Sequence, residues 1–242
     1  MIRLLPWLGA LALFLAVPSG AGASLTVGAG SSISLGDASV DLGESDLQVA
    51  GTLNGRAGLL DRVRHLTIDG SATLNGESGT IHICGDWINS GTFNAGTSVV
   101  RFVDGCGLSS AEIAGNTTFA RIDLRTTSGK EYRFTAGSVQ TVTDWLGLHG
   151  AAGNLLAIRS TQEESEAFIE VQGSGGGDFV DVRDIDASAG NPITLGPNST
   201  IGSNTAGWSI GTVVPTAGAL ALALLLVSLF WSGRSALGVH RG

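Results

Sequence analysis

The sequence predicts an all-β solenoid, a single right-handed parallel β-helix set between two apolar terminal segments. Three observations carry that prediction. Glycine supplies 37 of the 242 residues, about twice its usual share of about 7%. Short apolar–polar–apolar triplets, each followed by glycine, recur along the chain. Between residues 24 and 212 no stretch carries a helical period of useful length. A β-sandwich is the alternative all-β architecture.

The first element is an address. Arg3 precedes an apolar run from Leu4 to Val17, and Ala21 and Ala23 occupy the small-x-small positions of a signal-peptidase site. Residues 1–23 are therefore expected to be a signal peptide cut after Ala23, since the apolar stretch is short for a membrane span.

The body follows, residues 24–212. It opens with Leu25-Thr-Val-Gly, Leu47-Gln-Val-Ala-Gly, Leu66-Thr-Ile-Asp-Gly, Ile81-His-Ile-Cys-Gly and Val100-Arg-Phe-Val-Asp-Gly, whose starts are 22, 19, 15 and 19 residues apart. Alternation of period two over so few residues predicts short strands with one face buried. Further strands are expected at 119–124, 141–148, 155–158, 168–171 and 179–182. Repeats near 20 residues with turn signals predict stacked coils, each burying its apolar face against the next. At about 22 residues per coil the body would make about eight or nine. Recurrent tight corners account for the glycine excess, because glycine takes positive φ without a steric penalty. The segment 162–167 is acidic and reads as a loop, with Glu163, Glu164 and Glu166 as a solvated cluster.

Charge narrows the partners. The body holds all 21 acidic residues against ten basic ones, a net −11, while the whole chain stands at −8. That excludes a basic nucleic-acid binder and argues against anionic lipid as a ligand.

The candidate site residues come next. Cys84 and Cys106 are the only cysteines and lie 22 residues apart, one coil of the expected solenoid. Neighbouring coils would bring them within disulfide reach, and an oxidising compartment favours the bridge. Asp178, Asp181, Asp184 and Asp186 form the densest carboxylate group, a weak Ca²⁺ candidate by its oxygen ligands. Turn-capping aspartates on a solvated face are the bland alternative. Alternation places Asp181 and Arg183 on one side of a strand, opposite Val180 and Val182. His65, His82 and His149 read as surface residues, and no nucleophile elbow occurs. Trp87, Trp145 and Trp208 read as core or corner residues, with a sugar-stacking face as the functional alternative. Asn116-Thr-Thr and Asn198-Ser-Thr match the glycosylation pattern. No catalytic residue and no cofactor is expected.

The last element is a charge-free apolar run from Ala217 to Trp231, followed by Arg234, His240 and Arg241. It reads as a transmembrane helix, with the basic residues keeping the extreme C-terminus cytoplasmic. Val214-Pro215-Thr216, the helix and Arg234 together resemble exosortase-type C-terminal sorting signals of the IPTL-CTERM group. That resemblance implies a membrane-embedded sorting protease that recognises the tail and cuts near Pro215. Within the body, Gly85-Asp-Trp87-Ile-Asn-Ser-Gly91-Thr-Phe93-Asn-Ala-Gly96 resembles coils of large bacterial β-helical surface proteins. So do Phe134-Thr-Ala-Gly137 and Phe179-Val-Asp-Val-Arg-Asp184. These likenesses imply an adhesin-like or matrix-like protein and no chemistry.

The sequence thus predicts a signal peptide at 1–23, a β-helix body at 24–212 and a sorting segment at 213–242. The expected function is that of an exported, non-enzymatic protein of the bacterial envelope or extracellular matrix, structural or adhesive. Its expected partners are the membrane, a sorting protease and extracellular polysaccharide. A polysaccharide lyase or hydrolase and a carbohydrate-binding module are the alternatives. The first predicts Asp181, Arg183 and Asp184 in one cleft, the second Trp87 and Trp145 exposed and coplanar.

Overall fold

A computed structural model describes residues 24–212. The predicted signal peptide with Ala21 and Ala23 lies outside the described residues. So does the predicted sorting segment with Val214, Pro215, Thr216, Arg234 and Arg241.

The described residues form a parallel β-solenoid of about 8 turns with no helix. Of its 22 strands, 18 belong to one continuous sheet and four to a second. The continuity has a local cause. Ser39–Val49, Leu59–Ile68, Thr117–Arg125 and Val139–His149 each run through a corner, where the register slips between Asp41 and Ser45, Leu60 and Val63, or Phe119 and Arg121. One strand thereby contributes to two faces of the coil.

Parallel stacking in register places like side chains above like. Leu47, Leu66, Trp87, Ile113 and Phe134 make one inward column. Leu60, Ile81, Val100, Ile122 and Leu146 make another. All ten are buried. Trp87, Phe93 and Phe119 form a cluster with ring centroids 4.9–5.8 Å apart, a spacing suited to edge-to-face and tilted contacts. The indole N–H of Trp87 donates to Thr117 Oγ1 at 3.2 Å, so the buried polar atom is satisfied.

The ten expected strands are all present, and the expected loop at 162–167 is a loop except at Ala167, which begins the strand Ala167–Val171. The second sheet was not expected. It stacks Ser32–Ser34, Thr52–Asn54, Thr73–Asn75 and Thr92–Asn94. Leu53, Leu74 and Phe93 point inward, and the asparagines form an outward ladder. Asn75 Nδ2 donates to Asn54 Oδ1 at 2.7 Å, and Asn94 Nδ2 to Asn75 Oδ1 at 2.8 Å. The mid-ladder Asn75 amide both donates and accepts, as in stacked-amide ladders.

Glycine does more here than turn corners. Gly115 has φ +80, and a Cβ there would lie 1.9 Å from Asn89 O. Gly91 has no such φ, yet a Cβ would lie 2.2 Å from Asp69 O. Close stacking of successive coils thus claims glycines that conformation alone would not. Conversely, nine non-glycine residues among the described residues take positive φ, including Glu44 and Arg62 at corners.

Candidate functional site

The predicted disulfide is present: Cys84 and Cys106 are joined with a Cα–Cα separation of 5.9 Å, inside the usual range. Beside it lies Lys130, the chain's single lysine, whose side chain points into the solenoid and is buried. Its Nζ donates to Cys84 O and, at 3.4 Å, to Val103 O. It also stands 5.7 Å from the Tyr132 ring. Burial pushes the Lys130 ammonium below its ordinary value, with Asp104 and Asp86 opposing. The disulfide and the lysine together pin the corner at residues 103–106 from inside.

On the outer side of that corner a polar column runs along the coils. His82, Arg101, Asp123 and Gly147 occupy successive register positions, and Asp61 meets His82 with Oδ1 2.9 Å from Nδ1. Arg101 Nε donates to Asp123 Oδ2 at 2.9 Å, and Arg125 Nε donates to the same oxygen at 2.7 Å. Asp123 is wholly buried, which only paired cations make tolerable. Its other oxygen lies 3.6 Å from His149 Nε2, and neither atom has a hydrogen-bond partner among the described residues. Burial pushes the His149 imidazole below its ordinary value, and Asp123 only partly offsets it. The ring is therefore neutral near pH 7.

The column changes character at Gly147. Trp145, two residues back on the same outward face, lays its indole across the glycine: a Cβ on Gly147 would lie 2.1 Å from Cη2 and 2.5 Å from Cζ2. The Trp145 and His149 rings are 6.1 Å apart, inclined at 38°.

Next to this platform a groove of about 440 Å³ opens, lined by Asp104, Arg125, Thr126, Thr127, His149 and Gly150. Its rim is held by short bonds. Asp104 Oδ2 accepts from Thr127 N at 2.7 Å, Thr127 Oγ1 at 3.0 Å and Ser128 N at 3.2 Å. Burial pushes the Asp104 carboxyl up, but these donors outweigh it and hold the group below the usual carboxylate range. Thr126 Oγ1 accepts from the backbone N–H of Ser128, Gly129 and Lys130, which fixes the turn between groove and lysine.

The four aspartates of the Ca²⁺ candidate are not brought together. Asp178 accepts from Asn198 Nδ2 at 2.7 Å and Asp181 from Thr200 Oγ1 at 2.9 Å. Asp184 accepts from Asn204 Nδ2 at 3.2 Å and Asp186 from Ser188 N at 2.7 Å. The chain turns at Phe179 and Asp184, both with φ 58, so the carboxylates point to different faces, each toward the following coil or turn. Among the described residues no three Asp, Glu, His or Cys side chains converge as a metal site.

Asp181 and Arg183 do lie opposite the buried Val180 and Val182, but Asp181 pairs with Arg159. Asp184 is buried, so these three do not share a cleft wall. Trp87 is buried in the core, as its reading as a core residue expects, so the exposed pair with Trp145 that the binding-module alternative requires does not form. His65 lies with Nδ1 3.0 Å from Asp86 N. Sequence reasoning missed Asp123, Asp104 and the groove, because register alone unites them. Comparison with known proteins finds no matching family model, no matching curated protein and no matching solved structure.

Proposed function

We propose that this chain is an exported, non-enzymatic protein of the bacterial cell surface or extracellular matrix, structural or adhesive in role. In this reading the body is a right-handed β-helix released by cleavage after Ala23. A C-terminal helix over 217–231 holds it in the membrane until a sorting protease acts at Val214-Pro215-Thr216. The observation that carries the reading is the Cys84–Cys106 disulfide across adjacent coils, since such bridges persist in oxidising compartments. The mutual pairing of outward Asp, Arg and His side chains along the coils supports a structural face rather than a convergent acid–base pair.

The test is the intact mass of the protein from envelope and from culture medium. The expected species ends near Val214, lacks both terminal segments and is about two hydrogens lighter than the dithiol form. A mature species retaining Arg234 to Gly242 would overturn the sorting step, and a reduced cytoplasmic protein would overturn export.

A further inference from the structure

We propose that the groove between Asp104, Arg125 and His149, with the Trp145 indole as its platform, binds a neutral hexopyranose unit of a glycan chain. The proposal deepens the adhesive reading above and rests on it for access to glycans, though the groove's chemistry stands by itself.

The first argument is the platform. An indole held flat by the glycine beneath it presents its negative face outward, and the axial C–H groups of a pyranose complement that face. Gly147 is what allows the ring to lie down, and the half-buried Trp145 sits beside a groove-lining residue, His149. The second argument is the polar inventory. Arg125 commits its Nε to Asp123, and its two terminal nitrogens meet no acceptor among the described residues. Thr127 Oγ1 donates to Asp104 and keeps its lone pairs. Fixed planar donors and acceptors of this kind match vicinal hydroxyls, which both give and accept hydrogen bonds.

The third argument is charge. The guanidiniums of Arg101 and Arg125 are matched by the carboxylates of Asp104 and Asp123, and the imidazole is uncharged near neutrality. A uronate or phosphate would gain no net attraction here and would approach a body of charge −11. The fourth is shape. About 440 Å³ falls in the range of about 300–1,000 Å³ typical of small-ligand sites. The groove lies open on the outer side of the coil, so an internal unit of a polymer can occupy it.

The experiment uses the full chain, purified in a detergent that has no sugar head group. Its binding to cellohexaose, maltohexaose and chitohexaose is measured by calorimetry against hexagalacturonate. At least one neutral hexasaccharide should bind, and at least tenfold more tightly than hexagalacturonate. Trp145→Ala and Arg125→Gln should each weaken it at least tenfold, while Arg62→Gln, at a residue that pairs with Asp41 and does not line the groove, should not. Should Trp145→Ala fail to fold, Trp145→Phe should retain partial binding. Equal or tighter hexagalacturonate binding, no neutral binding, or indifference to both substitutions would overturn the proposal. Surface fractionation of the same cells separates the two readings. A surface protein without sugar binding sinks this one alone, and a sugar-binding cytoplasmic protein sinks export alone.

Discussion

The Trp145 indole occupies the volume that a side chain on Gly147 would need. Gly147→Ala therefore forces the ring off its seat. The clash is with the far end of a flexible side chain, so stability should change by no more than about 1 kcal/mol. The near-UV circular dichroism of the tryptophans should change clearly. A variant with the parent's near-UV spectrum would show that the ring does not rest on the glycine.

Asp123 is a buried carboxylate between two guanidiniums, and neutralising it leaves Arg101 and Arg125 facing each other. Asp123→Asn should cost about 2–3 kcal/mol in urea unfolding, the low end for breaking a buried pair because both arginines reach solvent. Asp41→Asn, which breaks the exposed pair with Arg62, should leave the midpoint unmoved. Equal effects from the two would mean that burial does not set the strength of these pairs.

His149 gives the fold a pH dependence of known sign. Burial, opposed by Asp123, lowers its folded value below the ordinary 6.5, so the unfolded chain takes up the proton first. The contribution is complete above about 6.5 and is lost as pH falls from there through the lowered folded value. His149→Gln should remove it, so the gap in stability between parent and variant should shrink from pH 7 to pH 5. A gap that is constant across that range would contradict the assignment.

The disulfide closes a loop of 22 residues in sequence. Loop-closure entropy for that length predicts a loss of about 3 kcal/mol when Cys84→Ser and Cys106→Ser are combined. Denaturant unfolding with and without reductant checks it. An unchanged midpoint would mean that Lys130 and the coil stacking hold the corner unaided.

Asn75 sits mid-ladder, donating to Asn54 and accepting from Asn94. Asn75→Ala should cost about 1–2 kcal/mol. Asn54→Ala should cost less, since its own donation to Ser32 is long at 3.4 Å. The reverse order in thermal unfolding would show that the ladder adds nothing beyond each residue's own packing.

Much of the fold was legible because a coil buries alternate residues. Leu25, Val27, Leu47, Val49, Leu66 and Ile68 announce their strands by period two alone, and the 22-residue interval between the cysteines predicts their meeting. The second sheet was harder. Thr52-Leu53-Asn54, Thr73-Leu74-Asn75 and Thr92-Phe93-Asn94 each carry one apolar residue, too few for a period. Their recurrence as a motif was the available signal. The groove was not legible at all. Asp104, Arg125 and His149 come from three coils, and their meeting depends on registers that corner bulges shift. Trp145 could be recognised as an aromatic residue, but not as a platform, because the cause is the missing side chain of Gly147.

The sequence has one lysine, and Lys130 lies inside the solenoid beneath Cys84 and Val103. The folded protein consequently presents no lysine amine to the outside. Surface biotinylation and cross-linking with amine-directed esters would pass it by, and an envelope survey built on those reagents would undercount it. Its exposed carboxylates, Asp123 and Asp184 being buried among the 21 acidic residues, are the handle that carbodiimide coupling could grip instead.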